Sequence, residues 1–507
     1  MKKLVLLFFT FNCFAQAPSI SWEKTYGGIK FENANALKKT NDGGYIIAGY
    51  STTGFGGSSN FNQMGQDWWV MKIDSLGAVI WEKTYGGTGD ELLFSINPTA
   101  DGGYIMSGHT GSSNGDVTSN HGMNDIWVVK IDGIGTIQWQ KTIGGSNFEI
   151  SGDAVQCADG GYLVCGSTRS HDGDAVLNPA GFDDNSYIIK LDSFGVIQWQ
   201  KFYGGTLADA LKKIVEVNDG FVLCGMTTSN DINVSGNHGG FDYWIVKIDS
   251  LGNLLWQKTL GGTLNDSAMD IEKTNDDGFI VAGYSYSTNG NITGNHGDDD
   301  AWIVKLSSDG NIQWQRAYGG TNTDRASDIS VTRDGYAFAG YSLSTDGDVT
   351  SSVAGYQGWV VKIDSAGNLT WNKTLGGSSS ESMNGIVEIT GGYVVAGYTS
   401  SANGDVTINH GQGDMWVVKL AQQDLSNNPT ITIQFSVFPN PAKSFLNLQM
   451  SKDIFIDKVT ITDLTGKIII QQTKNNNVIN TENLSGGIYF IHAFSGENKY
   501  QTKFIKE

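Results

Sequence analysis

The chain has 507 residues, 17% charged and 11% aromatic, with 67 Gly, 6 Pro and a formal net charge of −19. Aromatic side chains in that proportion can fill a core, which excludes a disordered or collagen-like chain. The acidic balance excludes a nucleic-acid partner, because phosphate binding needs clustered Lys and Arg.

The first fifteen residues read as a signal peptide: Lys2 and Lys3, the apolar run 4–11, then small residues at the −3 and −1 positions of a cleavage site after Ala15. Cys13 follows Phe11-Asn12, a poor lipobox. No later segment approaches 18 apolar residues, so no transmembrane segment is expected. Three cysteines remain: Cys157, Cys165 and Cys224. Cys165 and Cys224 stand where other copies of the repeat have Ala or Ser, as small buried residues would.

From residue 16 to 421 the chain repeats itself. The pattern Trp-x-(Lys/Arg)-x-x-Gly-Gly begins at Trp22, Trp81, Trp139, Trp199, Trp256, Trp314 and Trp371, at spacings of 59, 58, 60, 57, 58 and 57 residues. A fixed period means one supersecondary unit used many times. Within a unit, four short alternating runs are separated by turn residues such as Asp101-Gly102-Gly103. Four strands, seven copies and no helix pattern predict an all-β chain, a seven-bladed β-propeller. The last copy lacks a fourth strand, and the first is preceded by an orphan one, Ile20–Tyr26. The N-terminal strand should therefore close the last blade and remove the open edges.

The repeats resemble those of bacterial seven-bladed β-propeller repeat proteins. The likeness is carried by Trp256-Gln-Lys-Thr-Leu-Gly-Gly262, Asp266 and Gly278-Phe-Ile-Val-Ala-Gly-Tyr-Ser285, and it covers roughly residues 20–421. The turn Asp249, Gly252, Trp256 is also similar to the tryptophan-docking turn of quinoprotein dehydrogenase propellers, without cofactor-site residues. The resemblance implies fold rather than activity.

Strands that alternate in direction put the tight turns on one face and the long, variable loops on the other, where binding residues concentrate. The long loops share a theme, Gly-Asp-Val-Thr-x-Asn-His-Gly, at 115–122 and 404–411. It is read as local turn chemistry, or as oxygen-rich loops that would suit Ca2+, the one cofactor these residue types suggest. His121, His238, His296 and His410 sit one per blade, too far apart to share a zinc ion. A carboxylate follows each Gly-Gly by four residues: Glu32, Glu91, Glu149, Asp209, Asp266, Asp324 and Glu381. Either each caps its linking loop or pairs with a nearby Lys or Arg, or the seven form an axial cation site. Of 14 Trp, 13 fall in two repeat slots expected to pack the blades. Trp68, beside Trp69, is out of register and expected on the opposite sheet face, exposed to a ligand. The loop aromatics Phe182, Phe241 and Tyr356 could join it, as could Phe55 and Phe61. No Gly-x-Ser-x-Gly nucleophile elbow turning a strand into a helix, no His-Glu-x-x-His and no phosphate loop is present.

Residues 422–434 read as a polar linker, after which the composition shifts. From Phe435 onward 8 Lys meet 6 Asp and Glu, a balance of +2, which leaves −21 for residues 1–434. Alternating short strands and Gly turns predict a small Ig-like β-sandwich over 435–507. Pro439-Asn440-Pro441, the turn Asp463-Leu-Thr-Gly466-Lys467, Gly487-Ile-Tyr489 and the basic tail resemble the type A C-terminal sorting domain of the Bacteroidetes type IX secretion system. That resemblance implies Sec export, recognition by the type IX machinery, and release or attachment at the cell surface. The expected function is non-catalytic binding of a polysaccharide or surface protein through the long-loop face. The alternatives are a carbohydrate-active enzyme, hydrolase or lyase, and a cation-stabilised structural surface protein.

Overall fold

The computed structural model describes residues 16–52, 65–179, 184–351, 353–421, 436–449, 456–464, 467–473, 478–495 and 498–507. It divides into two compact units, Met1–Gln422 and Gln423–Glu507.

The first unit is all β among its described residues apart from one 3-10 turn, Gly173–Ala175. It contains seven antiparallel four-stranded sheets. Sheet 1 runs Glu32–Lys39, Tyr45–Ser51, Asp67–Ile73, Val79–Tyr85. Sheets 2 to 6 repeat that order from Glu91, Glu149, Asp209, Asp266 and Asp324. Sheet 7 takes three strands from Glu381–Ile389, Gly392–Thr399 and Asp414–Ala421, and its fourth from Ser19–Tyr26, which pairs from Ser19↔Ala421 to Tyr26↔Met415. The first strand of each sheet packs beside the first strand of the next, and that of sheet 7 beside that of sheet 1, so the sheets form a propeller-like ring.

Apolar side chains on both faces of the inner strands hold the ring together, because each sheet is sandwiched between two neighbours. Tyr45, Ile47, Trp69 and Met71 of sheet 1 thus share a core with Val394, Ala396 and Val417 of sheet 7. Trp69, Trp127, Trp244, Trp302, Trp359 and Trp416 occupy one third-strand slot and are no more than 1% exposed; Tyr187 fills that slot in sheet 3. Five of the Trp residues that open the repeat motifs, Trp81, Trp139, Trp199, Trp256 and Trp314, lie on the next tight turn. Gly252, at φ 77°, leaves room for Trp199, whose ring would sit 2.8 Å from an added Cβ. One residue type satisfies both the left-handed backbone and the close approach.

A second glycine, in the second strand of every sheet, answers a bulge in the first. In sheet 1 the register passes from Ala34↔Gly49 to Ala36↔Ala48, leaving Asn35 unpaired. A Cβ on Gly49 would fall 1.8 Å from the Asn33 carbonyl oxygen.

The second unit has a three-stranded sheet, Ser436–Phe438, Phe445–Gln449 and Val478–Asn480, and a four-stranded sheet ordered Ile468–Thr473, Lys458–Thr462, Gly487–Ser495, Asn498–Lys506. Leu446, Ile461, Ile479, Ile491 and Phe504 share its core. No helix among the described residues is long and apolar enough to cross a membrane.

Candidate functional site: an axial cavity lined by seven bulges

The bulge seen at Asn35 recurs in every sheet. Residues left unpaired in the first strands are Asn35, Phe94, Gly152 with Asp153, Lys212, Met269, Ser327 and Asn384. A bulge breaks the two-residue alternation and re-aims a side chain. Asn35, Phe94, Gly152, Lys212, Met269, Ser327 and Asn384 all line one cavity of about 580 Å3, one residue from each sheet. The backbone around it is repeated seven times, yet six residue types occupy the ring. Asp184 and Phe241, at the ends of two long loops, also line it, so the cavity belongs to the long-loop face.

The lining is two-sided. Sheets 6, 7 and 1 contribute Ser327, Ser382, Asn384, Asn33 and Asn35, with Tyr341 the aromatic among them; sheets 2 to 5 contribute Phe94, Ile150, Ala210, Met226 and Met269, with Phe241 beside them and Ser151 and Ser167 the hydroxyls among them. The amides form a chain: Asn384 Nδ2 donates to Asn33 Oδ1 (3.2 Å), Asn33 Nδ2 to Asn35 Oδ1 (2.9 Å), and Asn35 Nδ2 to the Leu93 carbonyl (2.7 Å). Lys212 projects from the apolar arc. Its Nζ donates to Ser267 Oγ (3.1 Å) and lies 3.1 Å from Met269 Sδ. Burial, with the Arg325 charge adding, pulls the Lys212 ammonium down to about 8. At the rim Arg325 bonds Asp299 through Nε and Tyr286 Oη through Nη2 (2.7 Å), with its guanidinium 4.0 Å from the Tyr284 ring centroid.

Farther along the same strands the axis is filled by charge. Burial would lower the Lys213 pKa, but Asp270, Asp153 and Asp328 around it reverse the shift and raise it. These carboxylates also tie adjacent sheets: Asp153 accepts the Ile214 N–H (3.3 Å), Asp270 that of Ile329 (2.9 Å) and Asp328 that of Ile386 (2.6 Å).

The seven repeat carboxylates are caps. Each accepts the N–H of the second Gly of its own Gly-Gly, at 2.9 Å for Glu32 and Glu91, 3.0 Å for Glu149 and Glu381, 2.7 Å for Asp209 and Asp324 and 2.8 Å for Asp266. Second-strand hydroxyls add further bonds, such as Thr110 Oγ1 to Glu91 at 2.7 Å. All seven are at most 1% exposed. They do not converge: among the described residues, no group of three or more His, Cys, Asp or Glu is placed to hold a metal ion. The loop histidines are spent locally, with Nδ1 of His121, His238, His296 and His410 against Asp125, Asp242, Asp300 and Asp414 at 2.5, 2.7, 2.6 and 2.7 Å.

Trp68 corrects an expectation. It is fully buried, not exposed, and packs in the core between sheets 1 and 2. Alternation does turn it to the opposite sheet face, but in this ring that face is covered by the neighbouring sheet. Phe241 is half-buried in the cavity wall. Tyr356 is 45% exposed, with its ring 5.4 Å from that of Tyr341, which lines the cavity. Phe182, Phe55 and Phe61 lie outside the described residues, as does Gly466.

In the second unit Asn440 Oδ1 accepts the Ile505 N–H (2.8 Å), between Pro439 and Pro441. Lys467 donates its N–H to Asp463 Oδ1 (3.1 Å), Gly487 opens its strand, and the Tyr489 hydroxyl donates to the Ser485 carbonyl (3.0 Å). Residues 436–507 match the family model described as the secretion system C-terminal sorting domain. The second unit is a type IX sorting domain. The sorting domain directs the protein through type IX secretion to the cell surface or the medium and implies contact with that machinery.

Over 223 residues the chain is 25% identical to the regulatory protein FlaEY of Caulobacter vibrioides, a match spanning 40% of this chain and 23% of that protein. Among solved structures it is similar to the extracellular domain of a protein described as a hybrid two-component system of B. thetaiotaomicron (11% identity, TM-score 0.42, 97% of this chain and 60% of that one). PorZ, a surface component of the type IX secretion system of Porphyromonas gingivalis, matches at 10% identity and TM-score 0.28, over 93% of this chain and 74% of its own.

The bulge ring is the part of the site that sequence reasoning missed. Its signal was available. Three residues after each repeat carboxylate, the copies carry Asn, Phe, Gly, Lys, Met, Ser and Asn, each directly after a position held by Ala, Leu, Ser or Met.

Proposed function

We propose that this type IX-secreted protein is a seven-bladed β-propeller, followed by an Ig-like sorting domain, that binds glycan without turning it over. The ligand enters the axial cavity from the long-loop face. One observation carries the reading: six of the seven sheets aim a bulged side chain at the same cavity while sheet 3 brings Gly152, and those side chains differ in chemistry. An asymmetric lining on a symmetric scaffold is what recognition of one ligand requires.

The lining suits a saccharide. A sugar offers hydroxyls around its rim and a C–H face. The amides and hydroxyls of sheets 6, 7 and 1 match the former, and Phe94 and Phe241 the latter. The volume lies within the roughly 300–1,000 Å3 of small-ligand sites. Binding without hydrolysis is favoured by the state of the lining carboxylates. Asp184 is paired with Arg169 at 2.7 and 2.8 Å, and Asp209 is spent on Gly205, Thr227 and Ser229. Glycoside hydrolysis needs two carboxyl groups flanking one bond, one of them free to move a proton. The test is a screen of the secreted protein on plant, algal and microbial polysaccharides, with Phe94→Ala as the cavity variant. Binding that weakens in the variant supports the reading, and binding that ignores the variant contradicts it.

A further inference from the structure

We propose that the glycan is acidic: the axial cavity seats a uronate sugar, with its carboxylate on the Lys212 ammonium. This rests on the glycan reading above and adds the ligand's charge.

The argument begins with how this molecule treats its other enclosed cations. Lys130, Lys190 and Lys305 each reach a carboxylate, Asp101, Asp159 and Asp276, at 2.8, 2.9 and 2.9 Å, and each also donates to a backbone carbonyl. Lys213, adjacent in sequence, is enclosed by Asp153, Asp270 and Asp328. Arg325 is paired with Asp299. Lys212 departs from this rule. An ammonium carries three donors. This one has a single hydroxyl, Ser267, and the Met269 thioether, a weak acceptor. Among the described residues no carboxylate pairs with it. The two acids that line the cavity are engaged elsewhere, Asp184 by Arg169 and Asp209 by its cap. A desolvated charge without a counter-charge is unfavourable, and the folded chain supplies none here.

The surroundings would strengthen an arriving anion's hold. Phe94, Ile150 and Met226 share the cavity with Lys212, and a charge pair gains strength where apolar walls exclude water. The depressed pKa of about 8 has the same origin, since burial disfavours the ammonium while no anion is present. The donor set favours a carboxylate over a sulfate or phosphate ester. Those tetrahedral anions are met by several converging donors, an Arg fork or a nest of backbone N–H groups. Of the two lysines lining the cavity, Lys213 is held by its three carboxylates and Lys212 alone lacks one, and the amide-lined arc opposite is left for the sugar's hydroxyls.

The experiment is titration calorimetry of the full secreted chain with oligomers of galacturonate, glucuronate, mannuronate and guluronate, alongside the same oligomers with carboxyl groups reduced to alcohols and sulfated oligosaccharides of equal length. The expected result is at least a tenfold preference for one uronate over its reduced form. Lys212→Met should lower that uronate's affinity at least tenfold at unchanged Tm, and Lys212→Arg should retain most of it. Affinity of the wild type should also fall as pH rises past 8. Equal affinity for a uronate and its reduced form, or tighter binding of the sulfated set, overturns the inference and leaves the glycan reading standing. Binding of none of these oligomers overturns both.

Discussion

The rings of Trp68 and Trp127 stand with centroids 4.3 Å apart at an interplanar angle of 42°, one from sheet 1 and one from sheet 2. They share a core with Leu93, Tyr104 and Met106, and neither ring reaches solvent. Trp68 is therefore part of what binds one sheet to the next. Trp68→Ala should cost about 3–5 kcal/mol, the range for emptying a buried aromatic site, while glycan affinity of the folded fraction stays unchanged. A urea midpoint at wild-type level would contradict this.

Between the same two sheets lies a pair of acids. Asp67 Oδ1 and Glu91 Oε2 flank Gly86, where an added Cβ would sit 2.1 and 2.7 Å from them. Burial, then the Glu91 and Asp116 charges, pushes Asp67 up to about 7; burial first and a facing carboxylate later push Asp242 and Asp300 to about 6. In the unfolded chain such groups release their protons near pH 4. Between about pH 4 and 7 the folded state holds protons that the unfolded state has lost, so stability falls as pH rises through that window. Tm should be higher at pH 5 than at pH 8. The equivalent residues of sheets 3 and 6 are Asn185 and Gln357, so the slot accepts an amide. Asp67→Asn should raise Tm at pH 8 by on the order of 2 °C and change little at pH 5.

The capping carboxylates make a different prediction about metals. Glu91 already accepts the Gly87 N–H and the Thr110 hydroxyl in a buried site. Glu91→Gln turns an acceptor into a donor facing donors, and should cost about 1–3 kcal/mol. Because each carboxylate is held by its own linking Gly-Gly and its own sheet, Ca2+ and EDTA should give the same Tm. A cation bound by the folded state alone would raise it, and such a rise would contradict the capping account.

The glycine opposite each bulge should tolerate no side chain. Gly49→Ala would drive a methyl into the Asn33 carbonyl. We expect a loss of several kcal/mol, on the order of a disrupted core, read by chemical denaturation. Full stability would mean that the bulge is not pinned as described.

These cases show what the chain made legible. A period of 57 to 60 residues with four alternating runs required repeated four-stranded sheets, and Pro439, Asn440, Pro441 and Tyr489 pointed to the sorting domain. The site was less legible for physical reasons. Two-residue periodicity turned Trp68 to the opposite face but carried no information on what covers that face. The spacing of Glu91 from Gly87 suits a cap and a metal ligand alike, and only the direction of the Gly87 N–H separates them. Asn35, Phe94 and Lys212 escaped because a bulge displaces one residue from the alternation that a strand reading assumes.

The most direct test of the central claim is to fill the cavity from one sheet. Ser327→Phe places at the bulge of sheet 6 the residue that sheet 2 already carries at Phe94. Wild type and variant would be compared on the same glycan array, with Tm as the control for folding. The account predicts that the folded variant loses glycan binding; a folded variant that binds as the wild type does would contradict it.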